Sequence, residues 1–284
     1  MKIVGKIKEI WRYPVKGMAG ERLESCYFGP EGLEGDRVWA VRDTVRQEIQ
    51  SCKFRPELLG CTVRTRAGEG SAVDIEFPDG SILGSDSDLI NERLTELVRN
   101  ESTLECLDAA KDPAFLKRYK SGPRDWLEEL KETFTREEDE PLPDFTEFPK
   151  QAQDFVTVPG SFFLVSPFHI ITTATMKRMT GLLPGSDWDV RRFRPNIVIE
   201  TYPGEEGLLE QEWIGSQLKI AGLPIDCTGT AVRCGAVTRA QKGIAKDTSM
   251  LRTIVKEAEQ NLGIYGNILE RGVVTVGDEV YLQK

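Results

Sequence analysis

The sequence is poor in the residues that build protein metal centres and charge relays. It contains a single histidine, His169, which argues against a histidine-rich metal site and against a Ser-His-Asp hydrolase. We interpret His169 as a hydrogen-bonded structural residue at the start of an apolar segment. The six cysteines include no Cys-x-x-Cys pair of the zinc or thioredoxin type. They are Cys26, Cys52, Cys61, Cys106, Cys227 and Cys234.

The amino terminus lacks a long apolar run, and the chain lacks an excess of positive charge. Lys6, Lys8, Glu9 and Arg12 interrupt the first apolar segment, so it predicts neither a secretion signal nor a membrane helix. With 37 Lys+Arg against 46 Asp+Glu, the net charge of -9 repels the phosphate backbone of nucleic acids. We expect a cytoplasmic enzyme or binding protein without disulfides and without a membrane or nucleic-acid partner.

The chain does contain enough apolar sequence for two β-rich domains. It has 284 residues, 39% of them hydrophobic, and its 26 glycines and 15 prolines fit many turns. We predict a mainly β fold with a few helices (α+β), beginning with a β-barrel-like domain over residues 1–110. A charged connecting segment follows over 111–150, with one amphipathic helix around Trp126 to Phe134, and a second β-rich domain covers 151–284.

Periodicity and turn residues predict the individual elements. An Asp79-Gly80 hairpin turn is expected in the first domain. Helices are predicted after Asp86 or Ser87, near residues 173–180 up to Gly181, and over about 249–261 with Gly263 as a C-cap. The predicted strands are Ile3–Tyr13, Val38–Arg42, Leu58–Thr65, Val73–Phe77, Leu104–Leu107, Asn196–Glu200, Leu218–Ile220, Leu223–Cys227 and Val273–Leu282.

Three basic clusters stand out in this acidic chain, which has no Gly-rich phosphate loop to explain them. They are Tyr13-Pro14-Val15-Lys16-Gly17, Gly32-Leu33-Glu34-Gly35-Asp36-Arg37 and the Arg191-to-Asn196 string with Arg192-Phe193-Arg194-Pro195-Asn196. Taken singly, each has a structural interpretation, since Asp36-Arg37 fits an ion pair and the arginines fit a cover over a barrel end.

Cys234, in Val-Arg-Cys-Gly, adds a candidate metal ligand. A thiolate is a soft ligand that heavier transition metals prefer, and clustered guanidinium groups bind phosphate in a bidentate manner. Together these residues indicate a phosphorylated cofactor that carries a metal. Taken alone, Cys234 fits a small buried side chain equally well, because free cysteine is among the most buried residue types.

The ordered combination of these strings resembles a known family. The Tyr-Pro-Val-Lys-Gly, Gly-Leu-Glu-Gly-Asp-Arg and Arg-Phe-Arg-Pro-Asn strings, Arg233-Cys234 and the closing Gly272-x-Val274-x-Val276-Gly277-Asp278 follow one another over nearly the whole chain. In this order they resemble the MOSC family (molybdenum cofactor sulfurase C-terminal domain proteins) with its N-terminal β-barrel domain. The architecture is similar to that of the amidoxime-reducing component and its bacterial relatives. The resemblance implies a MOSC β-barrel in the second domain.

The resemblance also implies roles for individual residues. Cys234 would be the molybdenum ligand and the catalytic residue, with Arg233 beside it. The helix-start hydroxyls would be Thr172 and Thr175. Contacts to the pterin or its phosphate would come from Lys16, Arg37, Arg194, Asn196 and Tyr265. Departures from the family pattern are Gly17 and Thr175 in place of serine, and Ala231 in place of an upstream cysteine.

Two functions from different classes follow from the resemblance. The first is a molybdenum-cofactor oxidoreductase that reduces N-hydroxylated or related N-oxygenated small molecules, with electrons from a separate flavin or iron-sulfur protein. The second is a non-catalytic cofactor-binding protein, or a sulfur carrier that uses a persulfide on Cys234. In either case we expect Lys16, Arg37, Arg194, Asn196, Arg233 and Cys234 to converge between the two domains.

Overall fold

The computed structural model describes residues 1–119 and 154–283. The helix predicted around Trp126 to Phe134, and most of the predicted connecting segment, lie outside the described residues. Within the described part, strands predominate and three α-helices accompany them, so the expectation of a mainly β fold with a few helices is confirmed.

The elements follow in chain order. The α-helices are α1 (Ile90–Val98), α2 (Thr173–Leu182) and α3 (Ser249–Ala258). The strands are β1 (Lys2–Arg12), β2 (Glu21–Leu23), β3 (Ser25–Gly29), β4 (Gly32–Leu33), β5 (Trp39–Asp43), β6 (Glu48–Ile49), β7 (Thr62–Thr65), β8 (Val73–Glu76), β9 (Ile82–Gly84), β10 (Ser102–Cys106), β11 (His169–Thr172), β12 (Ile197–Thr201), β13 (Gln217–Ile220), β14 (Leu223–Val232), β15 (Asn261–Ile268), β16 (Gly272–Thr275) and β17 (Glu279–Gln283).

Seven strands close a β-barrel in the order β12, β11, β15, β14, β13, β17, β1. The antiparallel pairing of β1 with β12, in which Ile7 faces Ile199 and Ile10 faces Ile197, completes the closure. The first strand of the chain is therefore a wall of a barrel whose other strands all come from beyond residue 168. This long-range pairing ties the two ends of the sequence into one unit.

Apolar side chains of the barrel strands fill its interior. Val4, Ile7 and Ile10 of β1 are buried, and they belong to one apolar cluster with residues of the opposite wall such as Ile225 and Ile264. Small barrels are filled in this way because only one face of each strand points inward. The interior is thus a core, and any ligand site must lie outside it.

Three small antiparallel sheets, ordered β10-β5-β6, β16-β3-β4 and β7-β8-β9, are built from amino-terminal strands, except that β16 comes from the carboxy-terminal end of the chain. Helix α1 packs on the apolar cluster that includes Val41, Val63 and Ile75. Helices α2 and α3 cover the outside of the barrel through a separate cluster that includes Met179 and Ile254. The predicted Asp79-Gly80 turn is confirmed, because it joins β8 to β9 with Phe77 and Ser81 paired across it.

Several predicted boundaries were wrong for local reasons. The predicted strand Leu58–Thr65 begins as a 3-10 helix over Pro56–Gly60, since proline favours the first helical turn, and only Thr62–Thr65 is extended. The predicted strand Val273–Leu282 is two strands, β16 and β17, separated at Gly277. Gly263 is no C-cap, because α3 ends at the left-handed Glu259.

None of the helices described here is long and apolar enough to cross a membrane.

Candidate functional site

A buried carboxylate, Asp36, joins three of the sequence strings. One oxygen of Asp36 accepts a hydrogen bond from the Tyr13 backbone N–H at 2.7 Å. The other accepts from the Asn196 side-chain amide at 2.8 Å and pairs with the Arg37 guanidinium. Asn196 in turn accepts from the backbone N–H of His169 through its Oδ1 atom. Segments from both halves of the chain are therefore fixed to one another at this carboxylate.

Two arginines lie over the same aromatic ring. The guanidinium carbons of Arg37 and Arg194 are 4.6 Å and 4.3 Å from the ring centroid of Tyr13. Both arginines have left-handed backbones, with φ of 50° and 54°. A left-handed conformation is unfavourable for a residue with a β-carbon, and it persists where surrounding contacts impose it, often at functional sites. The two positions predicted to bind phosphate thus share both a location and an unusual backbone.

Lys16 joins this group from the turn after Tyr13. Its Nζ atom donates to the Phe162 carbonyl oxygen at 2.8 Å. Burial lowers the pKa of Lys16 to about 7; the neighbouring Cys52 opposes this shift, whereas Arg37 and Arg194 add to it. Three basic side chains are therefore close enough to repel one another. Such an arrangement is unfavourable unless an anion compensates it.

Cys234 lies at the junction between β14 and a 3-10 helix over Gly235–Thr238. Its side chain is only partly buried, whereas Cys227, seven residues earlier, is buried in the barrel core. Burial raises the pKa of the Cys52 thiol, on which the charges of Arg194, Cys234 and Lys16 also act. Cys52 is therefore close to Cys234 and to the basic residues Lys16 and Arg194.

Arg233 is buried and faces inward beside Cys234. Its guanidinium donates to the carbonyl oxygens of Leu262 and Phe193 and contacts Nε2 of His169 at 2.5 Å. Burial and the charge of Arg233 hold the pKa of His169 well below its usual range, so the imidazole is neutral and accepts from Arg233. Gly263 makes room for this contact, because a β-carbon there would collide with the imidazole. His169 acts here as a positioning residue.

Tyr265 comes from β15, directly opposite His169 in the strand pairing. The two ring centroids are 5.8 Å apart. Burial raises the pKa of Tyr265, and the charges of Arg233, Cys234 and Arg37 also act on its hydroxyl. Tyr265 is therefore close to Cys234, Arg233 and Arg37.

Thr172 and Thr175 are placed differently from the other predicted residues. Both are completely buried, and both hydroxyls donate to one oxygen of the buried Glu210. Thr172 also caps helix α2 by accepting from the Thr175 backbone N–H. Burial raises the pKa of Glu210, and the two hydroxyls partly offset that shift. The structure assigns these hydroxyls to the helix start and to Glu210, and shows no contact with the basic group.

The site carries an excess of positive charge. Lys16, Arg37, Arg194 and Arg233 converge there, and among the described residues Asp36 is the only carboxylate hydrogen-bonded to any of them. Arg194 donates instead to the Met18 carbonyl oxygen at 2.5 Å. Guanidinium and ammonium groups gathered in this way bind phosphate groups well. The residues present therefore fit a phosphorylated ligand that approaches Cys234 from the basic side.

Sequence reasoning assigned no cofactor contact to three neighbours of the site. Within the Tyr-Pro-Val-Lys-Gly string the pattern indicates no role for Tyr13, and the Asp36-Arg37 pattern indicates only an ion pair. Cys52 lacks any motif, and nothing in its sequence surroundings could have located it. For Tyr13 and Asp36, the sequence signal that could have located them was their position inside the motif strings. Across residues 1–119 and 154–283, no group of three or more His, Cys, Asp or Glu side chains could hold a metal ion, so Cys234 is a single candidate ligand.

A separate surface depression has a volume of about 450 Å³. It is lined by Arg178, Gly207, Leu208, Gln211 and Glu212, none of which belongs to the basic group. Its lining provides neither a thiol nor a cluster of cations. The chemistry of the side chains, rather than the size of the depression, locates the candidate site near Cys234.

Comparison with known proteins supports the interpretation of the motifs. A model of the MOSC domain matches residues 159–281, and a model of the MOSC N-terminal beta barrel domain matches residues 4–119. Among solved structures, the YuaD protein from Bacillus subtilis is similar over 100% of this chain and 98% of its own, with 11% identity and a TM-score of 0.46. YiiM from Geobacillus stearothermophilus is similar over 42% of this chain and 55% of its own, with 12% identity and a TM-score of 0.32. The search of curated sequences finds no match.

Proposed function

Because the chain belongs to the MOSC family, with a MOSC N-terminal beta barrel domain ahead of a MOSC domain, we propose that it is a molybdenum-cofactor oxidoreductase. The proposed reaction is reduction of N-hydroxylated or related N-oxygenated small molecules. The MOSC domain is named after the carboxy-terminal domain of the molybdenum cofactor sulfurase, and this family association concerns the cofactor alone. Substrate class and catalysis are therefore part of the proposal.

The observation that carries the proposal is the convergence of Cys234 with four cations contributed by separate parts of the chain. Lys16 and Arg37 come from the first 40 residues, Arg194 precedes β12, and Arg233 follows β14. Structural packing alone gives such distant residues no reason to meet in a strained, mutually repulsive group. A cofactor with a thiol-binding metal at one end and a phosphate at the other supplies that reason.

Different residues fit the phosphate end and the metal end of this cofactor. At the phosphate end, Arg37, Arg194 and Lys16 would bind the dianion, and Asp36 holds Arg37 and Asn196 in position. At the metal end, Cys234 would be the protein ligand, with the buried Arg233 next to it in the chain. Tyr265, which is close to Cys234 and Arg37, would contact the pterin.

When bound, the cofactor supplies the two-electron chemistry of the reaction. The protein's own residues orient it and control the protons around it. The lowered pKa of Lys16 leaves this amine partly deprotonated near neutral pH, so that it can donate or accept a proton at Nζ. Neutral His169 keeps Arg233 directed at the Phe193 and Leu262 carbonyls, and this fixes the loop that carries Cys234.

The electron donor and the compartment are further parts of the proposal. We propose that a separate flavin or iron-sulfur protein delivers the electrons, because neither half of the chain carries a motif for such a group. We also propose the cytoplasm as the location, since a thiol that serves as a metal ligand has to remain reduced.

A second function uses the same thiol and deserves a parallel test. Partial exposure of Cys234 and its closeness to Cys52 also suit a sulfur carrier. In such a carrier Cys234 would attack the outer sulfur of a persulfide on a donor protein, which releases the donor's thiol, and would pass that sulfur to another enzyme in the same way. Such a carrier would need no stoichiometric metal. The phosphate-binding group would then serve to dock a pterin during transfer.

Metal and sulfur analysis of the same gently purified sample separates these functions. The oxidoreductase predicts one molybdenum per chain and reduction of benzamidoxime with a chemical electron donor. The carrier predicts cyanide-releasable sulfur on Cys234 without molybdenum and without that activity. A sample that contains neither metal nor releasable sulfur, and that takes up no cofactor when it is supplied, would contradict both.

A further inference from the structure

The hydroxyl of Tyr13 is an unpartnered polar group in the middle of the basic site. Tyr13 is 1% exposed, and its hydroxyl oxygen has no hydrogen-bond partner among the described residues. Nearly all buried polar groups in folded proteins are hydrogen-bonded, and an orphan costs free energy. A hydroxyl that folds into such a place without a partner therefore indicates a missing acceptor.

Cations surround this hydroxyl. The charges of Arg194 and Arg37, which lie over the ring, act on the hydroxyl, and those of Asp36 and Asp189 oppose them. The Tyr13 hydroxyl is also close enough to act on Arg191 and Arg233. Arg191 is paired with Asp189 and Arg37 with Asp36, whereas Arg194 and Arg233 donate to backbone carbonyl oxygens and have no carboxylate partner among the described residues. An acceptor that satisfies the hydroxyl while compensating these arginines must be an anion.

The ring is held so that the hydroxyl cannot turn away. Its face stacks on Trp11 with ring centroids 6.5 Å apart. Gly20 contacts the ring edge so closely that a β-carbon there would lie 2.5 Å from Cδ1 of Tyr13. The Tyr13 backbone N–H is fixed on Asp36. Backbone, face and edge are all constrained, so the position of the hydroxyl is set by the fold before any ligand arrives.

We propose that the Tyr13 hydroxyl is a further ligand-binding group, which donates a hydrogen bond to an oxygen of a phosphate monoester held between Arg37 and Arg194. This inference rests on the proposed function in one respect, since the monoester is taken to be the phosphate end of the cofactor. Burial raises the pKa of Tyr13, so the hydroxyl keeps its proton and acts only as a donor. A neutral donor at this place favours an anion that can accept hydrogen bonds from both arginines and still offer a further oxygen to the Tyr13 hydroxyl.

The test compares Tyr13→Phe with the wild type and with Tyr281→Phe, as full-length proteins made in a host that lacks molybdopterin. Tyr281 is a matched control because its hydroxyl has a partner, Glu279, far along the chain from the basic site. Inorganic phosphate is titrated into each protein by calorimetry. The melting temperature is recorded without phosphate and with it.

We expect Tyr13→Phe to weaken phosphate binding by about tenfold and to raise the melting temperature of the phosphate-free protein, because the orphan hydroxyl is gone. Tyr281→Phe should change neither affinity nor the phosphate-induced shift. Equal phosphate affinity of Tyr13→Phe and wild type would overturn the inference. So would a wild type that binds no phosphate at millimolar concentration.

The two proposals fail in distinguishable ways. If Tyr13→Phe loses phosphate affinity but the wild type from a competent host contains no molybdenum, the Tyr13 contact holds and the oxidoreductase proposal fails. If the wild type contains molybdenum and Tyr13→Phe binds phosphate as well as wild type does, the proposed function holds and the Tyr13 contact is refuted.

Discussion

Replacing Asp36 with asparagine removes the one charge that joins the two halves of the site. In Asp36→Asn the side-chain oxygen can still accept from the Tyr13 backbone N–H. The new amide then faces two other donors, the Arg37 guanidinium and the Asn196 amide. Turning the amide over only moves the conflict to Tyr13. The variant therefore loses at least one buried hydrogen bond in either orientation, together with the ion pair.

The magnitude follows from the burial of this pair. The side chain of Asp36 is 0% exposed and that of Arg37 is 13% exposed. Breaking a buried pair by removal of one partner costs about 3 to 5 kcal/mol, and the small exposure of Arg37 favours the lower end. A loss of about 3 kcal/mol corresponds to a decrease in melting temperature of about 6 to 12 °C for a chain of this size.

The assay is thermal unfolding of the cofactor-free protein, with Asp108→Asn as the matched control. Asp108 also pairs with a basic residue, Lys111, but both side chains are about 80% exposed, at 81% and 79%. An exposed pair contributes little, so the control should melt within about 1 °C of wild type. If Asp36→Asn also melts within about 1 °C of wild type, Asp36 does not hold the site together and the reasoning is refuted.

Three more predictions concern the charges of the site and its surroundings. Burial lowers the pKa of Lys16 to about 7, so the affinity of the site for sulfate should fall as the pH is raised from about 6 to about 8.5. Sulfate keeps its charge over this range, and Lys16→Met should therefore abolish the trend. A wild-type sulfate affinity that does not vary with pH would contradict the assignment. Arg194→Ala should lower cofactor occupancy by about tenfold in dilute solution, measured as molybdenum per chain, and full occupancy would contradict its role. Burial raises the pKa of Glu210, so the folded state holds its proton more tightly than the unfolded chain and the contribution of Glu210 to stability is lost as the pH rises through the folded value. The melting temperature of Glu210→Gln relative to wild type should therefore increase between about pH 5 and pH 8, and a constant difference would refute this.

The elements that could be predicted from sequence are those with local causes. The Asp79-Gly80 turn, helix α1 and the extended first strand all follow from residue patterns a few positions long. The partner of the first strand could not be predicted in this way, since β1 pairs with β12 nearly two hundred residues later. Barrel closure is a long-range property that alternation within one strand does not encode.

The same distinction applies to the site. The motif strings predicted Arg37, Arg194 and Cys234, because these residues lie inside them. The geometry that several strings create together was not predictable. One example is the placement of two arginines, both with left-handed backbone conformations, over the Tyr13 ring. Cys52 is the clearest example, because only the tertiary structure brings it close to Cys234 and Lys16.

Gly263 shows how a local rule can be overridden by the tertiary structure. The pattern at the end of helix α3 predicts a glycine C-cap, whereas Glu259 takes the left-handed position three residues after Lys256. Gly263 instead lies in β15, where the absence of a side chain admits His169 and Arg233. The glycine is required by a contact with residues in β11 and directly after β14, the two strands that neighbour β15.

The central claim is that Cys234 is the protein ligand of a molybdenum cofactor, and molybdenum content per chain tests it most directly. Wild type, Cys234→Ser and Cys227→Ser are purified gently from a host that makes the cofactor, and folding is checked by circular dichroism. A serine hydroxyl is a harder and far less acidic ligand than a thiol, whereas Cys227 lies in the barrel core. We predict about one molybdenum per chain in wild type and in Cys227→Ser, and its loss in folded Cys234→Ser. Equal molybdenum content in all three folded proteins would contradict the claim.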